Sequence, residues 1–276
     1  MKHWIWMLLV TLALTQHPEF AQAATYRVGD VVTNFTFVAR REFTRPDGTI
    51  APVGSTVRLS DFAGRIVFLE WFAVWCPYCV AAAPQVKTGI ADWYAARGGN
   101  PHGVPVLHIA VNQESASFYQ SQTENFITQQ GFNPVVNDYN SSSTNKVRFM
   151  FQSSGQPIFA VINGVTNSPT HKPWQLLVNH LGYGDTDFNQ ELASFRALIN
   201  TVDTPALTPQ LRGAHRAGAD FEFSLQTQPG RSYRVQASTN LGDWTTVRTL
   251  AGTNTPVLFR DTNAPAVQRY YRAVTP

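Results

Sequence analysis

The 276-residue chain is poor in cysteine, with only two, and in charged residues, which make up 14% of the total. Two cysteines exclude a scaffold built from several structural disulfides. The net charge of +3 is spread over dispersed Lys and Arg residues without a basic stripe, so nucleic-acid binding has no support. The seven histidines show no tightly spaced pair of the kind that binds a metal, so we expect no metal site.

The N-terminus has the pattern of a secretory signal. Lys2 and His3 give a basic start, residues 4–14 form an apolar core, and residues 21–23 form an A-x-A cleavage site. We therefore assign residues 1–23 to a signal peptide and expect an exported protein, periplasmic or secreted. The apolar core is short for a bilayer span, although retention as an uncleaved anchor stays open. No later segment is apolar enough to predict stable membrane insertion.

Both cysteines lie in one motif, Trp75-Cys76-Pro77-Tyr78-Cys79, at the expected start of a helix. This spacing places the two sulfurs about one helical turn apart, where they can form a disulfide. The unpaired N–H groups and the dipole at a helix N-terminus favour Cys76 as the thiolate that attacks disulfides, so we expect an exposed Cys76 and a buried Cys79. Redox chemistry by the pair itself, with no further cofactor, is the main interpretation. Half of a zinc site and a static disulfide are the alternatives.

The rest of the chain predicts two kinds of structure. Residues 66–73 form a near-continuous apolar run, typical of a strand buried on both faces, and a helix is predicted over residues 77–97. Strands and helices alternate over the predicted domain 24–202, which favours an α/β fold with a mixed sheet and helices on both faces. A Pro- and Thr-containing linker is predicted over residues 203–219. Short alternating strands then predict a small all-β sandwich over residues 220–276.

A family resemblance is carried by four features, namely Leu59–Gly64, Ile66–Ala73, Trp75–Cys79 and Pro84. Together they resemble the exported TlpA/ResA-like thiol–disulfide oxidoreductases of the thioredoxin fold. The likeness is specific over residues 59–84 and looser to about residue 202. It implies that one cysteine attacks a substrate disulfide and the other resolves the mixed disulfide. The implied partners are protein thiols or disulfides and a further redox partner.

Two more positions acquire roles through this resemblance. Pro157 is the candidate for a cis-proline that holds the Gln156 backbone beside the sulfurs, where it would pair with the substrate chain. The alternative is an ordinary trans-proline that opens a strand. Glu70, six residues before Cys76, is the candidate buried acid that accepts a proton from Cys79. The alternative is that Glu70 points to solvent from a strand end.

The C-terminal segment resembles fibronectin type III or immunoglobulin-like modules. The resemblance depends on the run Tyr233–Leu241 followed by Trp244, and on the closing Tyr270–Arg272. Spacer and binding roles both stay open for this module. The competing hypothesis for the whole chain is a binding or adaptor protein whose sandwich does the main work and whose thioredoxin fold is a scaffold. The direction of electron flow, reduction or oxidation of the substrate, also stays open.

Overall fold

The structure is a computed structural model that describes residues 25–139, 146–152, 154–184, 187–253, 255–262, 264 and 268–275. The predicted signal peptide, residues 1–23, lies outside the described residues. Within the described ranges, no helix combines the length and the apolar character that a membrane crossing requires.

The N-terminal part is built around a mixed seven-stranded sheet. In chain order its strands and a small separate hairpin are β1 (Thr36–Ala39), β2 (Phe43–Thr44), β3 (Ile50–Ala51), β4 (Thr56–Arg58), β5 (Ile66–Phe72), β6 (Val106–Asn112), β7 (Val135–Asn137), β8 (Ile158–Asn163) and β9 (Leu176–Leu181). The sheet order is β4-β1-β7-β6-β5-β8-β9, and β2 pairs with β3 outside it. Strands β5, β6 and β7 run parallel, whereas β8 is antiparallel to both β5 and β9.

The α-helices are α1 (Pro77–Val86), α2 (Asp92–Ala95), α3 (Gln120–Gln130) and α4 (Phe188–Ile199). A π-helical segment, Lys87–Ala91, joins α1 to α2, so the helix predicted over residues 77–97 is present but changes its winding after Val86. Gly131 ends α3 in the left-handed conformation at φ 64°, which a residue without a Cβ adopts easily. A β5–α1–β6 unit followed by antiparallel β8, β9 and then α4 confirms the predicted α/β thioredoxin fold.

Strand β5 shows why its sequence is apolar at nearly every position. All seven of its residues are buried, and successive side chains point to opposite faces of the sheet. Phe68 and Phe72 belong to apolar clusters on the face covered by α1, α3 and α4. Leu69 and Trp71 belong to the cluster on the other face, which short 3-10 helices at Leu59–Phe62 and Val147–Met150 help to cover. Helices therefore cover both faces, as predicted, but the α-helices lie on one.

The C-terminal part contains strands β10 (Gln210–Ala217), β11 (Asp220–Gln226), β12 (Ser232–Ser238), β13 (Thr245–Ala251), β14 (Val257–Asp261) and β15 (Tyr270–Val274). They form two three-stranded sheets, β10-β11-β14 and β13-β12-β15. One apolar cluster, which includes Phe223, Leu225, Tyr233 and Val235, draws side chains from both sheets. The linker predicted over residues 203–219 is wrong in its second half, because β10 occupies Gln210–Ala217 and pairs with β11.

The first half of the predicted linker is held by side-chain contacts. Arg231 forms an ion pair of 3.0 Å with Asp203 and donates a hydrogen bond to the Thr204 carbonyl. Asp203 also lies 3.3 Å from the His102 ring. The junction therefore lies beside the loop that precedes β6, at the end of the sheet opposite the cysteine motif. The seven residues of β5 separate these two ends by about 20 Å.

Candidate active site

The cysteine motif lies directly after β5, at the start of α1. Cys76 is the N-cap residue and Pro77 occupies the first helical position, where its missing N–H costs nothing. The backbone N–H of Cys79 donates to the Cys76 sulfur at 3.4 Å. The predicted helix start is thus confirmed, and one of the unpaired N–H groups of α1 points at the Cys76 sulfur.

The two thiols differ in their surroundings. Cys79 is fully buried, as expected, whereas Cys76 is only 4% exposed and so less open than the exposed thiol expected from the sequence. Burial raises the pKa of the Cys79 thiol because the thiolate would lose its hydration, and the nearby Cys76 and Glu70 raise it further. Cys79 is therefore hard to ionise without help.

The loop before β8 lies against the first cysteine. The Gln156–Pro157 peptide bond is cis, in agreement with the predicted geometry. The Cys76 thiol donates to the Gln156 carbonyl oxygen at 3.9 Å. The structure thus brings together the two segments that the resemblance implied, although 79 residues lie between Cys76 and Gln156 in the sequence.

Arg148 supports this loop and was missed by the sequence analysis. Its guanidinium donates to the Gly155 carbonyl at 2.8 Å and to the Gln113 side chain. Half-burial lowers the pKa of Arg148, while the charges of Asp138 and Cys79 raise it. An attraction between Arg148 and an ionised Cys79 stabilises both charged groups.

Asp138 holds the 3-10 turn that carries Arg148. Its carboxylate is 2% exposed and accepts hydrogen bonds from the backbone N–H groups of Val147 and Arg148, at 2.7 and 2.9 Å, and from the Trp71 ring at 2.9 Å. Burial nevertheless raises the pKa of Asp138 to about 6, because the loss of hydration outweighs these bonds. Asp138 therefore links β5 to the turn that supports the Gln156 loop.

Glu70 lies inside the protein. It is 0% exposed, so the alternative in which it points to solvent is wrong. One carboxylate oxygen, Oε2, lies 2.8 Å from His108 Nε2 on the neighbouring strand β6. Burial raises the pKa of Glu70, and the contact with His108 opposes this rise. The sequence analysis treated His108 as an isolated histidine and missed this pair.

Exposed aromatic side chains surround the motif. Trp75 and Tyr78 are each about half exposed, and the Trp75 ring donates a 2.6 Å hydrogen bond to the Glu114 carboxylate. Rings of this kind supply apolar contact area to a bound chain at low entropic cost. Among the described residues, no group of three or more His, Cys, Asp or Glu side chains is arranged to hold a metal ion.

No family model and no curated protein matches this chain. Its fold is similar to a candidate thiol:disulfide interchange protein DsbE from Chlorobium tepidum, with 19% identity, 63% of this chain and 99% of that chain covered, and a TM-score of 0.44. The thioredoxin domain of a thiol-disulfide oxidoreductase from Bacteroides vulgatus is 15% identical, with 62% of this chain and 99% of that chain covered and a TM-score of 0.41. A secreted Mycobacterium tuberculosis disulfide oxidoreductase is 16% identical, with 57% of this chain and 95% of that chain covered and a TM-score of 0.36. These similarities are weak, so the assignment of the site rests on its contacts.

Proposed function

We propose that the protein is a thiol–disulfide oxidoreductase that exchanges disulfides with protein substrates through Cys76 and Cys79. The placement of Cys76 carries this proposal. Its sulfur lies at the N-cap of α1, accepts the Cys79 N–H and faces the Gln156 carbonyl. A thiol at a helix N-terminus, with a second thiol one turn further along, is suited to attack on a disulfide and to release of the product.

The proposed reaction has two steps. The Cys76 thiolate attacks one sulfur of a substrate disulfide, which forms a mixed disulfide and releases the other substrate sulfur as a thiolate. Cys79 then loses its proton and attacks the Cys76 sulfur. The Cys76–Cys79 bond forms, the bond to the substrate breaks, and the substrate gains two electrons while the cysteine pair loses two. Run backwards, the same steps oxidise a substrate dithiol.

The surroundings support a protein chain as the substrate. Trp75 and Tyr78 offer apolar area next to Cys76, and the backbone of Gln156 lies within reach of a chain bound there. We further propose that the protein works after export, since residues 1–23 have the pattern of a signal peptide and a disulfide persists outside the cytosol.

We also propose that the two C-terminal sheets form a separate sandwich that does not take part in the chemistry. Their shared apolar cluster and their attachment at the end of the sheet opposite Cys76 support this view. In the adaptor hypothesis, a variant without thiols would lose reductase activity but would keep its full binding to the partner. The buried Cys79 and the contact of Cys76 with Gln156 favour the oxidoreductase.

The test is reduction of insulin by dithiothreitol in the presence of catalytic amounts of the protein. We expect acceleration by the wild type and none by Cys76→Ser, with Tyr78→Phe as the folded control. Equal rates for the wild type and Cys76→Ser would refute the proposal. A reduction potential near −270 mV in a glutathione buffer would identify a reductant, and one near −120 mV an oxidant.

A further inference from the structure

The position of Glu70 under α1 raises the question of where a proton from Cys79 goes. Glu70 shares a face of β5 with Phe68 and Phe72, because these residues are two positions apart. Phe72 packs in the cluster that contains Cys76 and Cys79, whereas Phe68 packs in the cluster that contains Ala82 and Val86 of α1. Glu70 therefore lies beneath the stretch of α1 that begins at Cys79.

The two carboxylate oxygens of Glu70 have different surroundings. Oε2 contacts His108, while Oε1 is buried and finds no hydrogen-bond partner among the described residues. An unpaired buried oxygen of this kind costs free energy unless a partner reaches it. When Glu70 is ionised, its charge raises the pKa of Cys79, which is consistent with a short separation between the two groups.

His108 also lines a surface cleft of about 240 Å³, and 7% of its side chain is exposed. The cleft is also lined by Lys87 and Asp92, which pair with each other at 2.7 Å, and by Phe132. The His108 ring is packed edge-on against Phe68 and Phe132, with centroids 5.8 and 5.5 Å away. Neither cysteine lines this cleft, and neither Gln156 nor Pro157 does, so it is separate from the surface where a substrate would dock.

We propose that His108 is a positioning residue that carries protons between Glu70 and the solvent of this cleft. The inference rests on the proposed function. Before this step Glu70 is a neutral acid whose Oε2 proton is donated to His108 Nε2, and the imidazole holds its own proton on Nδ1. When Cys79 attacks the mixed disulfide, its proton passes to Glu70 Oε1. The Oε2 proton passes to His108 Nε2, and the imidazole releases its Nδ1 proton to water in the cleft.

The route is needed because a bound substrate chain covers the front of the site. A proton released from the fully buried Cys79 then has no direct exit past Cys76. Later reduction of the Cys76–Cys79 disulfide by a thiol returns a proton along the reverse route. Water protonates Nδ1, Nε2 delivers its proton to Glu70, and Cys79 leaves as a thiol. The reverse passage restores the original histidine tautomer.

The two steps can be separated with 5,5′-dithiobis(2-nitrobenzoate) as the disulfide. Attack by Cys76 releases a first thionitrobenzoate, and attack by Cys79 releases a second. We expect His108→Ala to slow the second release by about tenfold or more, the lower range of acid–base contributions, and to change the first less than twofold. Added imidazole, which fits the enlarged cleft, should restore the second rate.

Two matched variants control for general loosening of the structure. His180 also lies on the sheet beside a carboxylate, with Glu191 at 3.1 Å, so His180→Ala should leave both releases unchanged and insensitive to imidazole. Glu70→Gln should slow the second release, and imidazole should not restore it. If His108→Ala fails to fold, His108→Asn keeps a polar group beside Glu70 and should show the same slow second release.

Three results would overturn the relay. One is an unchanged second release in folded His108 variants. Another is equal slowing of both releases without recovery in imidazole, which would indicate a purely structural role. The third is a wild type that never gives the second release, which would refute the dithiol function itself and therefore also the relay. The first two leave the proposed function intact.

Discussion

Asp138 should make the stability of the protein depend on pH in a direction unusual for an aspartate. Burial places its pKa at about 6, above the ordinary value of 3.8. The folded state therefore holds this proton more tightly than the unfolded chain. The contribution to the free energy of unfolding is full below about pH 4 and is lost as the pH rises through 6, with a difference of about 3 kcal/mol.

The perturbation is Asp138→Asn, which cannot titrate in this range. Asp138 accepts three N–H groups, from Trp71, Val147 and Arg148, and an amide nitrogen in place of one oxygen leaves at least one of them unpaired. This loss costs about 1 to 3 kcal/mol at neutral pH. Between pH 4 and 7 the free energy of unfolding should then fall by about 2.4 kcal/mol more in the wild type than in the variant.

The assay is urea unfolding at four pH values from 4 to 7, followed by tryptophan fluorescence. Other titrating groups cancel in the difference between the two proteins. Asp47→Asn is the control, because Asp47 is exposed and its bonds to Thr49 lower its pKa. Parallel curves for the wild type and Asp138→Asn would refute the reasoning, since they would mean that Asp138 does not hold its proton more tightly in the folded state.

Three further predictions concern the thiols, the supporting cation and the junction. Cys79→Ser should accumulate mixed disulfides with substrate on non-reducing gels and Cys76→Ser should not; the opposite pattern would exchange their roles. Arg148→Lys should slow the first thionitrobenzoate release about tenfold, because loss of a charged hydrogen bond to Gly155 costs about 1.5 kcal/mol; an unchanged rate would exclude a role for that support. Arg231→Ala should lower stability by about 1 to 2 kcal/mol in calorimetry through loss of the junction ion pair, with insulin reduction unchanged; lost activity would mean that the junction shapes the site.

The fold could be predicted where burial leaves a mark on the sequence. The apolar run of β5 follows directly from packing on both faces, and its position was predicted within one residue. Strand β10 leaves no such mark on the sequence. Five consecutive residues of this eight-residue strand, 212–216, are exposed, and they include Gly213 and His215. It is a strand because its backbone pairs with β11, and pairing of backbone groups imposes no pattern on side chains. The predicted linker failed for this reason.

The candidate site also has features that the sequence predicts and features that it does not. The cysteine motif could be recognised because its chemistry lies within five consecutive residues. The contact between Glu70 and His108 depends instead on the register of β5 against β6, in which Phe68 lies opposite His108. A shift of one residue would turn His108 to the other face. The roles of Arg148 and Asp138 depend likewise on loops that only the folded chain brings together.

The different burial of the two thiols gives a reason why the proposed reaction should proceed in a fixed order. A substrate disulfide can reach Cys76 but not the fully buried Cys79, so Cys76 attacks first. The raised pKa of Cys79 keeps its thiol protonated until then. In the proposed relay such a thiol needs a carboxyl group whose own pKa is also raised, because only a carboxyl that keeps a proton can give it to His108 while it accepts another from Cys79. Burial of Glu70 supplies that match, since the same dry environment raises the pKa of both groups.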